Sequence, residues 1–451
     1  MSSAPGAAGQ VATAGLLGRT VSYNLLSALQ IALAVAFQVL LARKFGASLL
    51  TDAYLASVLL VTFLSTMASA LAETFTQHYH EIAARNRPDA IRFYQAVLNG
   101  SLAVGVVTAA AAVLCAGDLV AMLAPGFDPE RQAALRSVFR MLALGLAGSA
   151  AVRVNATLLR AELRFRAMYL LALLTPGLNV LAVVLSNPEH GIMVIATAGV
   201  ASTAIGFFVQ QTYIHRVLGI PWAPVLRHPE LAGLAGNSLL LRLGHQIWDF
   251  KDVAATNILS GLPGGTVTLY FYGARIITMA YSVASSAGLE MLLSLISQMA
   301  ARRDYAGVRV LVRRSLLVFT ALLVAVLLVL AVALPSLLTA LVGVRLSPDE
   351  RGIVYGVFLA LIPFYLILSM EAPWVTVAIA FRHGGRVALI GMAFIAIFWL
   401  AAVSLRPTLG VYAIPTALAI AQAHSFAWYW TSSRRTLGRR GALPEGALTV
   451  G

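Results

Sequence analysis

The chain has 451 residues, of which 59% are hydrophobic and only 11% are charged, and its mean hydropathy is +0.84. Soluble globular domains do not have this composition, so the sequence predicts an all-α polytopic membrane protein. In a soluble protein the net charge of +14 would suggest nucleic acid as a partner. In a membrane protein the side of the bilayer on which the charges lie is informative instead, and we predict no nucleic-acid partner.

Twelve hydrophobic runs are long enough to cross a bilayer core of about 30 Å, which takes about 20 helical residues. In chain order the predicted spans are Thr20–Leu41, Ala53–Phe75, Phe93–Ala116, Leu135–Leu158, Met168–Leu185, Gly191–Tyr213, Leu234–Leu259, Thr266–Ser294, Ser315–Leu334, Ile353–Ala378, Val387–Val403 and Leu409–Tyr429. The segments between them are too short for an independent core, and no phosphate-binding glycine loop, nucleophile elbow or zinc-ligand spacing occurs. The sequence therefore predicts a protein that is not an enzyme.

Basic residues are distributed unevenly between the two sides of the predicted bundle. With both termini in the cytoplasm, twenty basic residues fall on the cytoplasmic side and eight on the opposite side. Cytoplasmic loops of membrane proteins carry such an excess, so we predict that both termini are cytoplasmic. Four further basic residues fall at membrane depth, namely Arg153, Arg242, Lys251 and Arg275.

A short internal repeat indicates two halves. A shift of 217 positions aligns residues 69–73 with 286–290 and residues 83–85 with 300–302. Six spans separate the copies, so they have the same orientation, as in transporters built from parallel repeats. A chance similarity between alanine-rich helices is the alternative. We predict an N-terminal six-helix lobe (1–218), a cytoplasmic linker (219–233), a C-terminal six-helix lobe (234–433) and a basic cytoplasmic tail (434–451).

The seventh predicted span carries four ionisable residues, Arg242, His245, Asp249 and Asp252, at steps of three, four and three. This spacing places them on one face of a helix. Ionisable side chains are costly in hydrocarbon, so we expect this face to contact protein or a water-filled cavity.

The turn at 261–265 brings Arg275 of the eighth span to the depth of Asp252. Both residues lie roughly 16 to 18 Å from Pro263, at the tip of the turn. An Asp252–Arg275 ion pair is therefore available. It is either a static structural pair, or Arg275 binds a phosphate group while Asp249, Asp252 and His245 couple transport to an ion or a proton.

The first and second spans each carry a polar face, which either forms hydrogen bonds between helices or lines a cavity. The candidate substrate-binding residues are Arg275, Arg242, Arg153, Gln38 and Asn24. The candidate ion-coupling or gating residues are Asp249, Asp252, His245, Asp52, Glu73 and Glu290. At membrane depth in the second half, a carboxylate cation site can draw only on Asp249, Asp252, Glu290 or Glu371. We predict no metal site and no cofactor, and we expect the membrane potential or a cation or proton gradient to supply the energy.

Seven short motifs, in the same order along the chain, resemble those of the MurJ/MviN lipid II flippases in the MOP (multidrug/oligosaccharidyl-lipid/polysaccharide) exporter superfamily. They are ARKFG (42–46), DAY (52–54), AETFTQ (72–77), APGF (124–127), LLRAELRF (158–165), TPGLNV (175–180) and TVTLYFYGAR (266–275). The resemblance implies two six-helix lobes around a cationic cavity. It also implies transport of a polyprenyl-diphosphate-linked glycan across the bacterial cytoplasmic membrane by alternating access. Asp52, Glu73 and Arg275 are the charged positions that match the family.

The chain departs from the family pattern in three places. Phe37 and Gln38 stand where the family has an arginine–aspartate pair. The family has a basic run in the second span, whereas this span has no charge from Val58 to Ser69. The family typically has two further C-terminal helices, which the sequence does not predict here. The expected substrate therefore stays open between lipid II and another undecaprenyl-linked oligosaccharide. Membrane lipids are further expected partners, and envelope synthases are candidate protein partners.

Two other functions fit the same predicted fold. A cation-coupled multidrug exporter would use Asp249 and Asp252 for coupling. Its organic-cation substrates favour an acidic cavity, whereas the spans hold similar numbers of basic and acidic groups. A non-transporting scaffold for cell-envelope assembly is compatible with the missing arginine–aspartate pair.

Overall fold

The structure is a computed structural model and describes residues 26, 29–72, 75–187, 191–301, 304–381 and 384–441. No β-strand occurs among these residues, as expected in lipid, where a helix satisfies its backbone hydrogen bonds internally. The helices are α1 (29–45), α2 (Leu49–Ala68), α3 (Phe75–Ala83), α4 (Arg87–Leu114), α5 (Ala116–Leu123), α6 (Pro129–Ala143), α7 (Leu146–Ala161), α8 (Phe165–Ala172), α9 (Leu174–Leu185), α10 (Gly191–Leu218), α11 (Leu231–Leu259), α12 (Thr266–Ala301), α13 (Tyr305–Val342), α14 (Pro348–Ala380), α15 (Gly384–Leu409) and α16 (Ala413–Gly441).

The helices occur where hydropathy predicts the spans, although some spans are broken. The fourth predicted span consists of α6 and α7, which are bent by 43°, and the fifth consists of α8 and α9. By length and composition, seven helices of the described chain could cross a membrane, or eight if α6 and α7 form one span. The stretch Val387–Gly438, counted there once, has 52 residues. At about 78 Å it is long enough for two spans, α15 and α16.

The described chain forms two compact units. The first contains 29–45, Leu60–Leu119 and Ala133–Arg242. The second contains Gly46–Leu59, Val120–Gln132 and the described chain from Leu243 onward. The second unit thus includes two segments from the first half of the sequence. Helices α2 and α11 each run from one unit into the other.

Aromatic residues of α3 and α4 form the centre of the first unit. Phe75, Tyr79, Phe93 and Tyr94 are each at most 2% exposed, and the rings of Phe75 and Phe93 stack with centroids 5.7 Å apart. The Tyr94 hydroxyl donates a hydrogen bond to Asn155 Oδ1 of α7 at 2.8 Å. Apolar packing and a buried polar contact together hold α4 against α7.

The linker after α10 is bound along α4. Gln95 Nε2 donates to the carbonyl of Pro221 at 2.7 Å, and Asn99 Nδ2 donates to the carbonyls of Ala223 and Val225 at 2.7 and 2.9 Å. A segment interrupted by prolines cannot satisfy these carbonyls by forming a helix. The side chains of α4 do so instead, and the linker is part of the first unit.

Helix α14 is the central helix of the second unit and packs against α12, α13 and α16. It begins with a capping box formed by Ser347 and Glu350. Pro363 and Pro373 lie inside it, and each removes one backbone hydrogen bond. The helix therefore has two points at which bending is easy.

Helices α4 and α7 approach closely at Gly105. A Cβ atom at this position would lie 2.7 Å from the carbonyl oxygen of Leu146 and 2.8 Å from that of Ala147. Both atoms belong to the backbone, so they cannot move aside unless the helices separate. Small residues at such crossings let helix backbones pack directly against each other in membranes.

We expect Gly105→Ala to destabilise the protein by about 1–3 kcal/mol, although alanine has the higher helix propensity. The measurement is the thermal unfolding midpoint of the purified protein in detergent. Gly100→Ala on the same helix is the matched control, because its Cβ would meet only Leu71 Cδ1 at 3.9 Å. Equal midpoints for the two variants would show that α4 and α7 have room to spare at Gly105.

Candidate functional site

The carboxylate of Asp52, near the start of α2, is bound by the N-terminal end of α12. Its Oδ2 accepts a hydrogen bond from the Gly265 amide at 2.8 Å. Its Oδ1 accepts from the Thr268 amide at 2.8 Å and from the Thr268 hydroxyl at 2.5 Å. The first amides of a helix have no partner within the helix and carry the positive end of its dipole, so they favour a carboxylate. We call Asp52, Gly265 and Thr268 the α2–α12 latch.

Two glycines allow the backbone to reach the latch. Gly46 has φ +60° and Gly265 has φ +84°, a region in which side chains are disfavoured. A Cβ at Gly265 would lie 3.3 Å from the Cβ of Ala47, and the Tyr272 hydroxyl donates to the carbonyl of Gly46 at 3.3 Å. The start of α12 is therefore in direct contact with a segment 213 residues earlier in the chain.

The described ionisable residues of α11 and α12 are partly exposed. Asp252 forms an ion pair with Lys251 at 3.3 Å, and the two side chains are 41% and 24% exposed. The sequence left an Asp252–Arg275 pair available as one of two alternatives, but in the structure Asp252 pairs with the neighbouring lysine. Arg275 has no ion-pair partner among the described side chains. Its side chain is exposed, and it lies about 14 Å from the start of α12 along the helix axis. An exposed guanidinium in a predicted membrane span is available to a ligand or to water in an adjoining cavity.

Tyrosines of α12 and α14 lie beside these charges. The rings of Tyr281 and Tyr365 have centroids 5.4 Å apart, and the hydroxyls of Tyr365 and Thr278 are 2.6 Å apart. Lys251 and Arg275 are close enough for their charges to act on the Tyr365 phenol. Local sequence patterns do not predict Lys251 or Tyr365 as site residues. Lys251 lies beside the predicted face, and the α12–α14 pairing is a tertiary feature that local patterns do not contain.

The remaining predicted site residues lie in α1, α7 and α11 or outside the described part of the chain. Gln38 is half-buried in α1 and Arg153 is exposed on α7, both in the first unit, and Asp249 is half-buried in α11. Asn24 and Glu73 lie outside the described residues, as do the side chains of Arg242, His245 and Glu290. The structure thus brings Asp252 and Arg275 near Lys251 and Tyr365, and it places Asp52 separately at the latch. Within the described chain, no three His, Cys, Asp or Glu side chains are close enough to hold a metal ion.

A basic cavity of about 410 Å³ lies in the first unit, on the predicted cytoplasmic side, and is lined partly by Arg87, Glu162 and Arg164. Glu162 accepts a hydrogen bond from the Tyr79 hydroxyl at 2.5 Å and forms an ion pair with Arg87 at 3.4 Å. Burial raises the pKa of the Tyr79 phenol, and the Glu162 carboxylate raises it further. The phenol therefore stays protonated at neutral pH and remains a donor to Glu162.

We expect Asp52→Asn to destabilise the protein by about 2–3 kcal/mol. Asparagine has a single acceptor oxygen, so its amide nitrogen would face a donor of the latch and leave it unsatisfied in a buried site. The change also removes the charge that interacts with the α12 dipole. Chemical unfolding in detergent measures the effect. Asp349→Asn, exposed in the first turn of α14, is the control and should change stability by less than about 1 kcal/mol. Similar losses in both variants would contradict a special role for the latch.

Comparison with known proteins identifies the family. The family model for "Lipid II flippase MurJ" matches residues 41–445. A search of curated protein sequences gives no significant match. Similar solved structures include a lipid II flippase MurJ in an inward closed conformation, with a TM-score of 0.77, 14% identity and coverage of 93% of this chain and 90% of that chain.

A multidrug resistance MATE family transporter of the MOP superfamily, in an inward-facing conformation, has a TM-score of 0.70, 13% identity and coverage of 93% and 96%. A MOP superfamily transporter from Pyrococcus furiosus has a TM-score of 0.62, 13% identity and coverage of 94% and 95%. At these identities the likeness shows the fold alone, and the predicted MOP transporter fold is confirmed. The family match covers most of the sequence, so the chain belongs to the MurJ lipid II flippase family.

Proposed function

We propose that the protein is a cytoplasmic-membrane flippase that moves a polyprenyl-diphosphate-linked saccharide by alternating access. The saccharide is that of lipid II or of another undecaprenyl-linked oligosaccharide. The family consists of lipid flippases and not of enzymes, which supports this class of function. Arg275 is the structural observation that carries the proposal, because it is an exposed guanidinium on α12, within the predicted eighth span.

A diphosphate is the substrate group that suits Arg275. A guanidinium donates two parallel hydrogen bonds to phosphate oxygens. Lys251 is paired with Asp252, whereas Arg275 has no ion-pair partner among the described side chains, so its guanidinium is available to an anion. The unpaired guanidinium supports a lipid-linked diphosphate over the organic-cation substrates of a multidrug exporter. We include Arg242 and Arg153 among the proposed diphosphate ligands, and Gln38 and Asn24 among the proposed polar substrate-binding groups.

The latch has the chemistry expected of a gate. Its contacts are hydrogen bonds, and water can replace them when they open, at a net cost of about 1 kcal/mol for each bond. Residues 261–265, at the tip of the hairpin, lie on the side opposite the basic cytoplasmic loops. We therefore propose that Asp52 closes the periplasmic side in the described conformation and releases α12 when the lipid-linked glycan leaves. Both termini are cytoplasmic in this proposal.

We expect Arg275→Gln to lower the initial rate of flipping at least about tenfold, because each charge-assisted hydrogen bond to phosphate contributes about 1.5–3 kcal/mol. The assay measures fluorescent undecaprenyl-diphosphate-linked saccharide in proteoliposomes, together with growth of a flippase-depleted strain. Arg275→Lys should keep part of the rate because it keeps the charge.

Arg309→Gln, exposed on α13 among the predicted cytoplasmic residues, is the matched control and should flip at the wild-type rate. Full activity in both Arg275→Gln and Arg242→Gln would remove these arginines from the mechanism. If cells require this protein for resistance to organic-cation drugs and the protein shows no flipping activity, the function as a multidrug exporter would be favoured.

A disulfide across the latch should stop transport reversibly. Cys115, the single cysteine, is first replaced by serine, and Ala47 and Gly265 are changed to cysteine. The 3.3 Å separation of their Cβ positions is close to the roughly 3.5–4.5 Å found in disulfides. Oxidation should abolish flipping and a reductant should restore it. The reduced protein is its own control for strain at φ +84°. Flipping that continues in fully crosslinked protein would show that the latch need not open.

A further inference from the structure

Helix α14 carries a buried carboxylate that neither the latch nor the Arg275 site uses. Glu371 is 1% exposed. Its Oε1 accepts a hydrogen bond from Ser425 Oγ at 3.0 Å, and its Oε2 lies 2.5 Å from Gln422 Nε2. Both partners belong to α16 and have no exposed surface. Among the described residues, no cationic side chain pairs with Glu371.

An ionised carboxylate is costly in such a site. Removing a charge from water without a counter-charge costs several kcal/mol, and a buried group avoids the cost by taking up a proton. Asp52, also buried, is offset by two helix amides and the dipole of α12. Glu371 has only a hydroxyl and a neutral amide, which offset much less. The environment therefore favours the neutral acid whenever the pocket is closed.

The contact with Gln422 fits a neutral acid. The two ends of a glutamine amide have the same shape, so hydrogen bonding decides which end faces the carboxyl group. Gln422 Oε1 has no hydrogen-bond partner in the described chain, and the same is true of the Tyr429 hydroxyl. A half-turn of the amide lets protonated Glu371 donate to the Gln422 oxygen.

Other titratable groups on the packed helices leave Glu371 without a charge of opposite sign. These groups include Arg275 and Tyr281 of α12, Arg313 and Arg314 of α13, and His424 and Tyr429 of α16. Tyr281 and Tyr429 are close enough for the charge of the Glu371 carboxylate to act on their phenols. The arginines of α13 and His424 are exposed, and α15 has no charged residue from 387 to 405. The Glu290 side chain of α12 is outside the described part.

We propose that Glu371, with Gln422 and Ser425, is a proton-binding site that couples a proton gradient to movement of α14 against α16. The inference rests on the transport function proposed above. Uptake of one proton converts the carboxylate to the neutral acid and stabilises the closed α14–α16 contact. Loss of the proton requires water, so it accompanies opening of that contact. A ligand that binds one state better shifts the equilibrium toward it, and the proton is that ligand here.

The two prolines of α14 bracket the part of the helix that would move. The segment between Pro363 and Pro373 contains Glu371, which faces α16, and Tyr365, which contacts Thr278 on α12. Each proline weakens the helix at one end of this segment. A shift at Glu371 can thereby reach Tyr365, which is close enough to Arg275 for the guanidinium charge to act on it.

The proton site is tested first on the purified full chain in nanodiscs, without lipid-linked substrate. Infrared difference spectra between acidic and alkaline pH should show a protonated carboxyl band that is absent in Glu371→Gln and retained in Glu130→Gln, an exposed carboxylate in the first turn of α6. Ser425→Ala removes a donor to the ionised form, so the midpoint of the titration should move to higher pH. A spectrum unchanged in Glu371→Gln, or an unchanged midpoint in Ser425→Ala, would overturn the proposal.

The coupling is tested next in proteoliposomes. A pH gradient should accelerate flipping several-fold in the wild type and in Glu130→Gln, whereas Glu371→Gln should flip at one rate with or without it. A response to a sodium gradient at fixed pH that disappears in Glu371→Gln would assign the site to sodium and overturn the proton proposal. A wild type that shows the titrating band but no flipping would refute the transport function and leave the proton site in place.

Discussion

The hydrogen bonds between Asp52 and the first amides of α12 join two segments of the second unit that lie more than 200 residues apart in the chain, and they fix the start of the helix that carries Arg275. Three donors converge on one buried carboxylate, and a helix dipole adds to their effect. The same helix carries Arg275 and Tyr281 further along its 36 residues. Because a helix moves as a nearly rigid rod, a change at the latch also shifts the residues proposed to bind the diphosphate.

Three acidic side chains of the second unit lie in three different environments. Asp52 is held by backbone amides, Asp252 by the ammonium group of Lys251, and Glu371 by a hydroxyl and an amide. Backbone amides and an ammonium group partly offset the cost of a buried negative charge, whereas a hydroxyl and a neutral amide offset much less. Asp52 and Asp252 are therefore suited to electrostatic roles, and Glu371 is the acid suited to exchange a proton during a conformational cycle.

Sequence patterns predicted the helices well because hydropathy over about 20 residues is a local property. The match extends to the all-helical MOP fold and to the family, which the motifs from ARKFG to TVTLYFYGAR indicated. Partners in space were harder to predict. Depth along two helices suggested an Asp252–Arg275 pair, but depth does not fix the rotation of a helix, and Lys251 pairs with Asp252. Glu371 was visible as a rare acid, yet its partners on α16 lie 51 and 54 positions away and follow no periodic pattern.

The linker that follows α10 lies in an extended path along α4. The Trp222 indole donates a hydrogen bond to Asn99, and the same Asn99 side chain donates to the carbonyls of Ala223 and Val225. Connecting segments usually tolerate insertions and deletions, because few of their backbone groups have fixed partners. Here the spacing of successive carbonyls must match the rise of α4. Removing one residue between 221 and 225 would put these contacts out of register together. This connection is therefore a poor place to divide the protein for split or fused variants, despite its proline-rich, loop-like sequence.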